Sequence, residues 1–523
     1  MDPDILLGLM IVFVFGTLML GFSVAFTLAG ASILFGLLGW WLDAFQLSFF
    51  AVLPNRVSGL MANQVLIAIP LFIFMGVMLE RSRVAEELLE TMGMLFGRLR
   101  GGLGISVAVV GAMLAASTGI VGATVVTMGL VALPTMLRRG YDPKLSTGVI
   151  AASGTLGQII PPSIILVVLG DQISIAYQQA QRELGNWSPD PVSVGDLFAG
   201  ALVPGLVLVG LYILYILIYC WIKPSAGPAL SASDAGETAD LGRRIVHALL
   251  APAVLIFSVL GSILSGIATP TEAAALGALG ATVLGGHRAN PARKGAVLAV
   301  CAGLIILIAL VTQVDMRVTR DIGTPVEKAA IWVAVGACVA VAYGLAVCLW
   351  RVFQNGTLAE VNRQTIRITS MVFAIIICAQ LFSLVFLGLG GDEIVTHVLT
   401  SLPGGVFGAV FTVMVVIFVL GFFLDVLEIS FVVVPIVAPI LLAMDLNPVW
   451  LGVMIAVNLQ TSYLTPPFGF ALFYLRGVTP PEVKTSTIYA GVAPFVVIQL
   501  SMLCILALFP ALATWLPSVV FGP

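Results

Sequence analysis

A helix that crosses a bilayer needs about 20 consecutive apolar residues. Measured against that length, the pattern of apolar and polar positions predicts spans near 5–20, 24–40, 64–80, 145–169, 197–222 and 246–268. Six more follow near 271–286, 296–314, 330–350, 368–390, 449–475 and 488–514. Two other apolar stretches, 104–137 and 404–443, are too long for one helix and are interrupted in the middle. Each could be two spans, or a re-entrant hairpin that enters and leaves on one side. Segments 81–100 and 352–367 mix charged and apolar residues at helical spacing, which suits helices lying in the interface, although ordinary solvated loops would read the same way. The stretch 224–242, rich in Pro, Gly and Ser, is the best internal linker. Trp40, Trp41, Trp221, Trp350 and Trp450 fall near predicted span ends, as an interfacial belt would.

Composition agrees. Of the 523 residues 60% are hydrophobic and 9% charged, where a soluble protein carries about 25% charged residues. Mean hydropathy is +1.13. Lipid must therefore be the solvent, and the fold class is all-α integral membrane. The six cysteines are scattered and form no CxxC pair, and three distant histidines leave little for a metal site. A net charge of −3 provides no basic stripe for nucleic acid. The start, Met1-Asp2-Pro3-Asp4, is acidic where a secretory leader is basic, so the first run reads as a permanent span.

Orientation follows from basic residues. With both long stretches taken as hairpins and the N-terminus outside, only Arg56, Arg182, Arg317, Arg320 and Lys328 of the 23 basic residues fall outside. Both termini are then periplasmic.

The chain also repeats itself. Gly154-Thr155-Leu156-Gly157-Gln158-Ile159-Ile160-Pro161-Pro162 has a counterpart in Leu459-Gln460-Thr461-Ser462-Tyr463-Leu464-Thr465-Pro466-Pro467. The same register carries Pro134 onto Pro439, Asp142 onto Asn447 and Pro143 onto Pro448. Seven predicted spans separate the hairpins, an odd number, so the copies are inverted. Paired, Gly/Pro-interrupted segments in inverted repeats point to secondary transporters. The organisation expected is N-terminal scaffold helices over 1–63 and a first repeat over 64–222. A linker with connecting scaffold helices occupies 223–367, including an extra pair near 296–350, and a second repeat occupies 368–523.

Proline lacks an N–H and clashes with the carbonyl one turn back. Pro161, Pro162, Pro466 and Pro467 should unwind their spans and free carbonyls, tolerated at membrane depth only when buried or lining a watery cavity. Such carbonyls are hard ligands suited to a cation such as Na+, and Thr155, Thr461, Ser462 and Thr465 add hydroxyls. The first hairpin tip, 116–124, holds two glycines and three hydroxyls, and the second, 421–428, holds Asp425 and Glu428. Half-helix ends there would aim backbone dipoles at a bound ion. Of three acids in apolar stretches, Asp425 is the best candidate for a cation site. Glu272, after Thr269-Pro270-Thr271, looks like a structural first-turn residue, and Glu428 could be structural or proton-coupled. Catalysis looks poor: a Ser/His pair would need a histidine within a span, His247 and His397 lie near span ends, and no aspartyl pair of the intramembrane-protease kind is present, so no enzyme is expected.

At these residues the chain resembles the large membrane subunit of tripartite ATP-independent periplasmic (TRAP) transporters, the DctM-like family. The matching pieces are Ile69-Pro70-Leu71-Phe72, Arg98-Leu99-Arg100-Gly101-Gly102, Arg139-Gly140-Tyr141, Ala151 to Gly157, Ile160-Pro161-Pro162-Ser163, Thr271-Glu272-Ala273-Ala274 and Thr465-Pro466-Pro467. The resemblance implies a Na+-driven, elevator-type importer of an organic acid anion in a bacterial inner membrane. It further implies a periplasmic substrate-binding protein and a small four-helix membrane (Q) subunit as partners. Carried over, the family's Na+ sites fall on Ser117, Thr118, Gly119, Gly154, Thr155 and Gly157, and on Asp425, Thr461, Ser462 and Thr465. The helix pair near 296–350 is additional to the family pattern. A stand-alone Na+/dicarboxylate carrier and a non-transporting scaffold are the alternatives.

Overall fold

The computed structural model describes residues 3–82, 84–97, 99–119, 121–229, 241–290, 293–313 and 325–522, and no strand occurs among them. Helices α1 (Pro3–Met19), α2 (Val24–Trp41) and α3 (Leu53–Ala62) lead into α4 (Ala68–Arg81) and α5 (Val84–Phe96). Helices α6 (Gly102–Thr118) and α7 (Val121–Arg138) form the first hairpin. The first broken span is α8 (Pro143–Thr155), a 3-10 turn at Leu156–Gln158, and α9 (Ile164–Glu183). Next come α10 (Val194–Ile222), α11 (Leu241–Leu264), α12 (Pro270–Ala289), α13 (Gly295–Gln313), α14 (Pro325–Gln354), α15 (Thr357–Gly388) and the short α16 (Gly391–Ser401). The second hairpin is α17 (Gly405–Leu420) with α18 (Val426–Val432) and α19 (Val434–Ala443), the last two bent by 57°. Helices α20 (Pro448–Leu464) and α21 (Phe470–Val478) make the second broken span, and α22 (Thr485–Leu508) and α23 (Ala511–Phe521) follow. Among the described residues eight helices are long and apolar enough to cross a membrane, or nine if α18 and α19 count as one.

The two copies start by the same local rule. Asp142 caps α8 by accepting from the Lys144 amide at 2.9 Å, and Asn447 caps α20 by accepting from the Trp450 amide at 3.0 Å. Each cap precedes a proline at the first helical position, where its missing N–H is no loss.

Packing gives two sets of helices, joined where α4 meets α6 and α9 and where α15 meets α18. Helix α4 packs on α12 and α15, α2 on α15, and α12 on α11 and α14. In the second group the copies interlock: α8 packs on α22, α7 on α21, and α9 on α19 and α20. Gly148 and Gly491 bring α8 and α22 together backbone to backbone, since a Cβ on either would run into a carbonyl oxygen of the other helix.

Four expectations need correction. Segment 352–367 is no separate interfacial helix: from Thr357 it runs straight into α15. At 1.5 Å per residue those 32 residues reach about 48 Å, so their first turns project beyond a hydrocarbon core about 30 Å thick. The last span stops at Leu508 rather than 514, because Pro510 cannot continue it. The linker begins docked, with the Asp142 amide donating to Ala226 O and the Gly101 amide to Gly227 O, both at 2.9 Å; its residues 230–240 lie outside the described ones. Trp450 leaves the aromatic belt: it is buried, and its Nε1 donates to Leu506 O at 2.8 Å. Trp40, Trp41, Trp221 and Trp350 are exposed. The helix expected within 81–100 is α5, seated against α6 and α11.

Candidate functional site

Both broken spans break where the prolines require it. Thr155 ends α8, and after Pro161-Pro162 the chain restarts as α9 under a Ser163 cap. The Ser163 hydroxyl donates back to Gln158 O at 3.1 Å, bridging the gap. Leu464 ends α20, and after Pro466-Pro467 the chain restarts as α21. The Pro161–Pro162 and Pro466–Pro467 bonds are both cis. Gly154, Thr155, Gly157, Thr461 and Ser462 are buried.

The hairpin tips meet these breaks. At the first tip Gly119 has φ +60, and a Cβ there would lie 3.1 Å from the Ile164 nitrogen, so only glycine suits both the conformation and the approach. A Cβ on nearby Gly122 would stand 2.9 Å from the Tyr474 ring of α21. The first tip thus lies against both broken spans. Ser117 and Thr118 close α6, and their side chains lie outside the described residues.

At the second tip, a Cβ on Gly421 would collide with the Ser462 hydroxyl. Asp425 caps α18: its Oδ1 accepts from the Val426 amide at 2.8 Å, and Glu428 Oε2 accepts from the Asp425 amide at 2.8 Å. The Tyr463 hydroxyl donates to Asp425 Oδ1 and accepts from the Val426 amide at 3.2 Å. Asp425 therefore stands beside the second break, and Glu428 is its capping partner. The Phe423 and Phe468 rings lie 5.5 Å apart between centroids, tilted by 46°, so the tip also meets the residue that follows Pro466-Pro467.

Hydroxyl chemistry differs between the copies. Thr461 donates to Val457 O, Ser462 to Leu459 O and Thr465 to Thr461 O, at 2.8, 2.8 and 2.7 Å. Each thereby spends its proton on the backbone and keeps its oxygen lone pairs for a cation. Thr155 does not. It donates to Ala152 O at 2.8 Å and accepts from Gln460 Nε2 at 3.4 Å and Gln499 Nε2 at 3.3 Å. With both lone pairs engaged, Thr155 can offer a cation its carbonyl but not its hydroxyl. Gln499 also donates to the Tyr212 hydroxyl at 2.7 Å, and all four side chains are fully buried.

Glu272 has the structural role expected of it: its Oε2 accepts from the Thr269 amide at 2.8 Å and the Thr269 hydroxyl at 3.0 Å. Gln460, Gln499, Tyr212 and Tyr463 were not singled out from sequence, although lone carboxamides within apolar runs were a visible signal. Asp171, a buried acid on α9, was missed because the predicted span ended at 169. Near the start of α8, Lys223 Nζ lies 2.8 Å from Asp142 Oδ2. Burial pushes the Asp142 carboxyl up, but hydrogen bonds from Lys223 and the Lys144 amide outweigh it and hold the carboxyl below its ordinary value.

Comparison with known proteins gives this geometry a family. The model of the DctM component of tripartite ATP-independent periplasmic transporters matches residues 9–322 and 285–512. The C4-dicarboxylate TRAP transporter large permease protein DctM of Vibrio cholerae is 29% identical over 516 residues, 99% of this chain and 98% of its own. The Pseudomonas aeruginosa protein of the same description is 28% identical, with 87% of this chain and 86% of that one covered. The ectoine TRAP transporter large permease protein TeaC of Halomonas elongata is 24% identical, with 98% and 99% covered. Among solved structures, the YdaH transporter of Alcanivorax borkumensis shares the fold at a TM-score of 0.53 and 16% identity, covering 91% of this chain and 90% of that one. A family match across both hairpins and both broken spans leaves one conclusion: the chain belongs to the DctM component family of tripartite ATP-independent periplasmic transporters, as a multi-pass large permease.

Proposed function

We propose that the chain imports an organic acid anion by coupling it to Na+ through an elevator motion, in a bacterial inner membrane with both termini periplasmic. The carrying observation is that each hairpin tip closely approaches a proline-broken span: a Cβ at Gly119 would lie 3.1 Å from the Ile164 nitrogen, and one at Gly421 would collide with Ser462. Where backbone is unwound beside such a tip, the freed carbonyls and the Thr461, Ser462 and Thr465 hydroxyls are candidate oxygen ligands. That donor set fits a hard monovalent cation better than a transition metal. In this reading Gly119, Gly154, the Thr155 carbonyl and Gly157 serve one Na+ site, with Ser117 and Thr118 beside them. Asp425, Thr461, Ser462 and Thr465 serve the other. Bound Na+ fixes the tips and makes the cleft between them positive enough for a carboxylate.

The interlocked group of α6–α9 and α17–α22 is the moving body, and the α2, α4, α11–α15 group is the static one. Delivery by a periplasmic binding protein and support from a small four-helix subunit belong to this reading, and membership of the family supports them. The test is uptake of a labelled organic-acid panel into proteoliposomes holding this chain and its small partner, with and without a Na+ gradient and the binding protein. Uptake that needs all three supports the reading. Uptake without the binding protein favours a stand-alone carrier, and none under any condition favours a scaffold.

A further inference from the structure

Helix α9 carries a carboxylate that the tips and breaks do not use. Asp171 is 7% exposed, within a stretch of α9 buried continuously from Ile164 to Ile173. Asn63, 108 residues away in the corner between α3 and α4, donates from Nδ2 to Asp171 Oδ1 at 2.9 Å. Gln172 donates from Nε2 to Oδ2 at 3.1 Å. A buried carboxylate is costly unless it is paired with a charge or holds a metal ion. Its partners here are neutral. Helices α4, α10, α18, α19 and α20, which pack on α9, hold one basic residue between them, Arg81, and that pairs with Glu360 at 2.8 Å.

Both carboxylate oxygens accept an N–H from a neutral amide, which orients the group without supplying a countercharge. Each oxygen keeps a further lone-pair direction, and no described donor is bonded to the carboxamide oxygen of Gln172. We propose that Asp171 binds Na+, with Gln172 as a second oxygen ligand and Asn63 as the residue that positions the carboxylate. One carboxylate with neutral oxygen partners suits a monovalent hard cation. This site is separate from the tips and breaks, in the corner where α9 meets the α3–α4 connection.

The test counts ions. The chain in nanodiscs is titrated with 22Na+, choline keeping ionic strength constant, as wild type, Asp171→Asn and Asp425→Asn. Asp171→Asn should bind one Na+ fewer per chain and show a shallower rise of Tm with log Na+ concentration, while Asp425→Asn keeps that ion. An unchanged Na+ count in Asp171→Asn overturns the proposal and makes Asp171 a hydrogen-bond acceptor only. Should Asp171→Asn fail to fold, Asn63→Asp decides. A second carboxylate should raise Na+ affinity about tenfold and make folding Na+-dependent, whereas instability equal in Na+ and choline overturns the proposal. Ion loss in Asp425→Asn alone sinks this site and leaves the coupling reading intact; no Na+ bound by any form sinks both.

Discussion

Thr155 and Gln460 hydrogen-bond at 3.4 Å although 305 residues separate them, and 305 is also the spacing that superposes Pro161-Pro162 on Pro466-Pro467. Positions 155 and 460 correspond in that register, so equivalent positions of the two matched segments touch each other. The contact therefore marks the seam of the molecule and ties the first break to the second.

Removing that tie should be felt in stability. Thr155→Val leaves the Gln460 and Gln499 amides without their shared acceptor, and each orphaned buried donor costs about 1–3 kcal/mol. Gln499→Leu removes the donor to Thr155 and to the Tyr212 hydroxyl but orphans no amide, and Thr155 keeps its bond from Gln460, so it should cost less. Thermal melting in detergent orders the variants; a Thr155→Val protein that melts with the wild type contradicts the assignment.

Tyr463 holds the second tip in place by touching both Asp425 and the Val426 amide. Tyr463→Phe keeps the ring and loses the hydroxyl. The Na+ concentration for half-maximal uptake should rise several-fold with the amount of folded protein unchanged. A variant whose Na+ curve overlays the wild type shows that the tip needs no such support.

Gly421→Ala places a methyl group against Ser462. Overpacking of this kind costs about 1–3 kcal/mol, and here it pushes the tip off the break. Uptake should fall about tenfold, while Gly8→Ala on α1, where a Cβ meets nothing within 4 Å, leaves it unchanged. Equal uptake in the two variants would show that the close approach has no role in transport.

The Asp142–Lys223 pair predicts a pH profile. The Asp142 carboxyl is held low, so its stabilisation is present above the unfolded value of about 3.9 and is lost as pH falls through the folded value. The hydrogen bond that Lys223 donates to Asp142 raises the Lys223 amine, so its share is complete below the unfolded value of about 10.4 and is lost as pH rises through the folded value. Asp142→Asn keeps the helix cap and should flatten the acid limb of Tm against pH. An acid limb as steep as that of the wild type assigns the loss to other groups.

Much of this was legible in the sequence, for identifiable reasons. The breaks declared themselves because proline removes a donor wherever it stands, and the caps Asp142 and Asn447 precede their prolines in plain view. The seam was not legible, since a register between two copies does not say which of their positions touch. Asp171 escaped because hydropathy ended its span at 169, while the buried part of α9 runs on to Ile173. The charges of 352–367 suggested a separate helix, yet no proline or glycine lies between Thr357 and Gly388 to interrupt α15. Pro510 was the visible signal for the end of α22, hidden by apolar residues on both sides.

The most direct test of Na+ coupling at the tips and breaks is the Na+ dependence of binding-protein-driven uptake in wild type and Asp425→Asn, side by side in proteoliposomes. Wild-type uptake should require an inward Na+ gradient and stop when K+ replaces Na+. In Asp425→Asn the half-saturating Na+ concentration should rise about tenfold, equivalent to roughly 1.4 kcal/mol, with the protein folded. Full uptake in K+, or one Na+ curve for both proteins, would contradict the account.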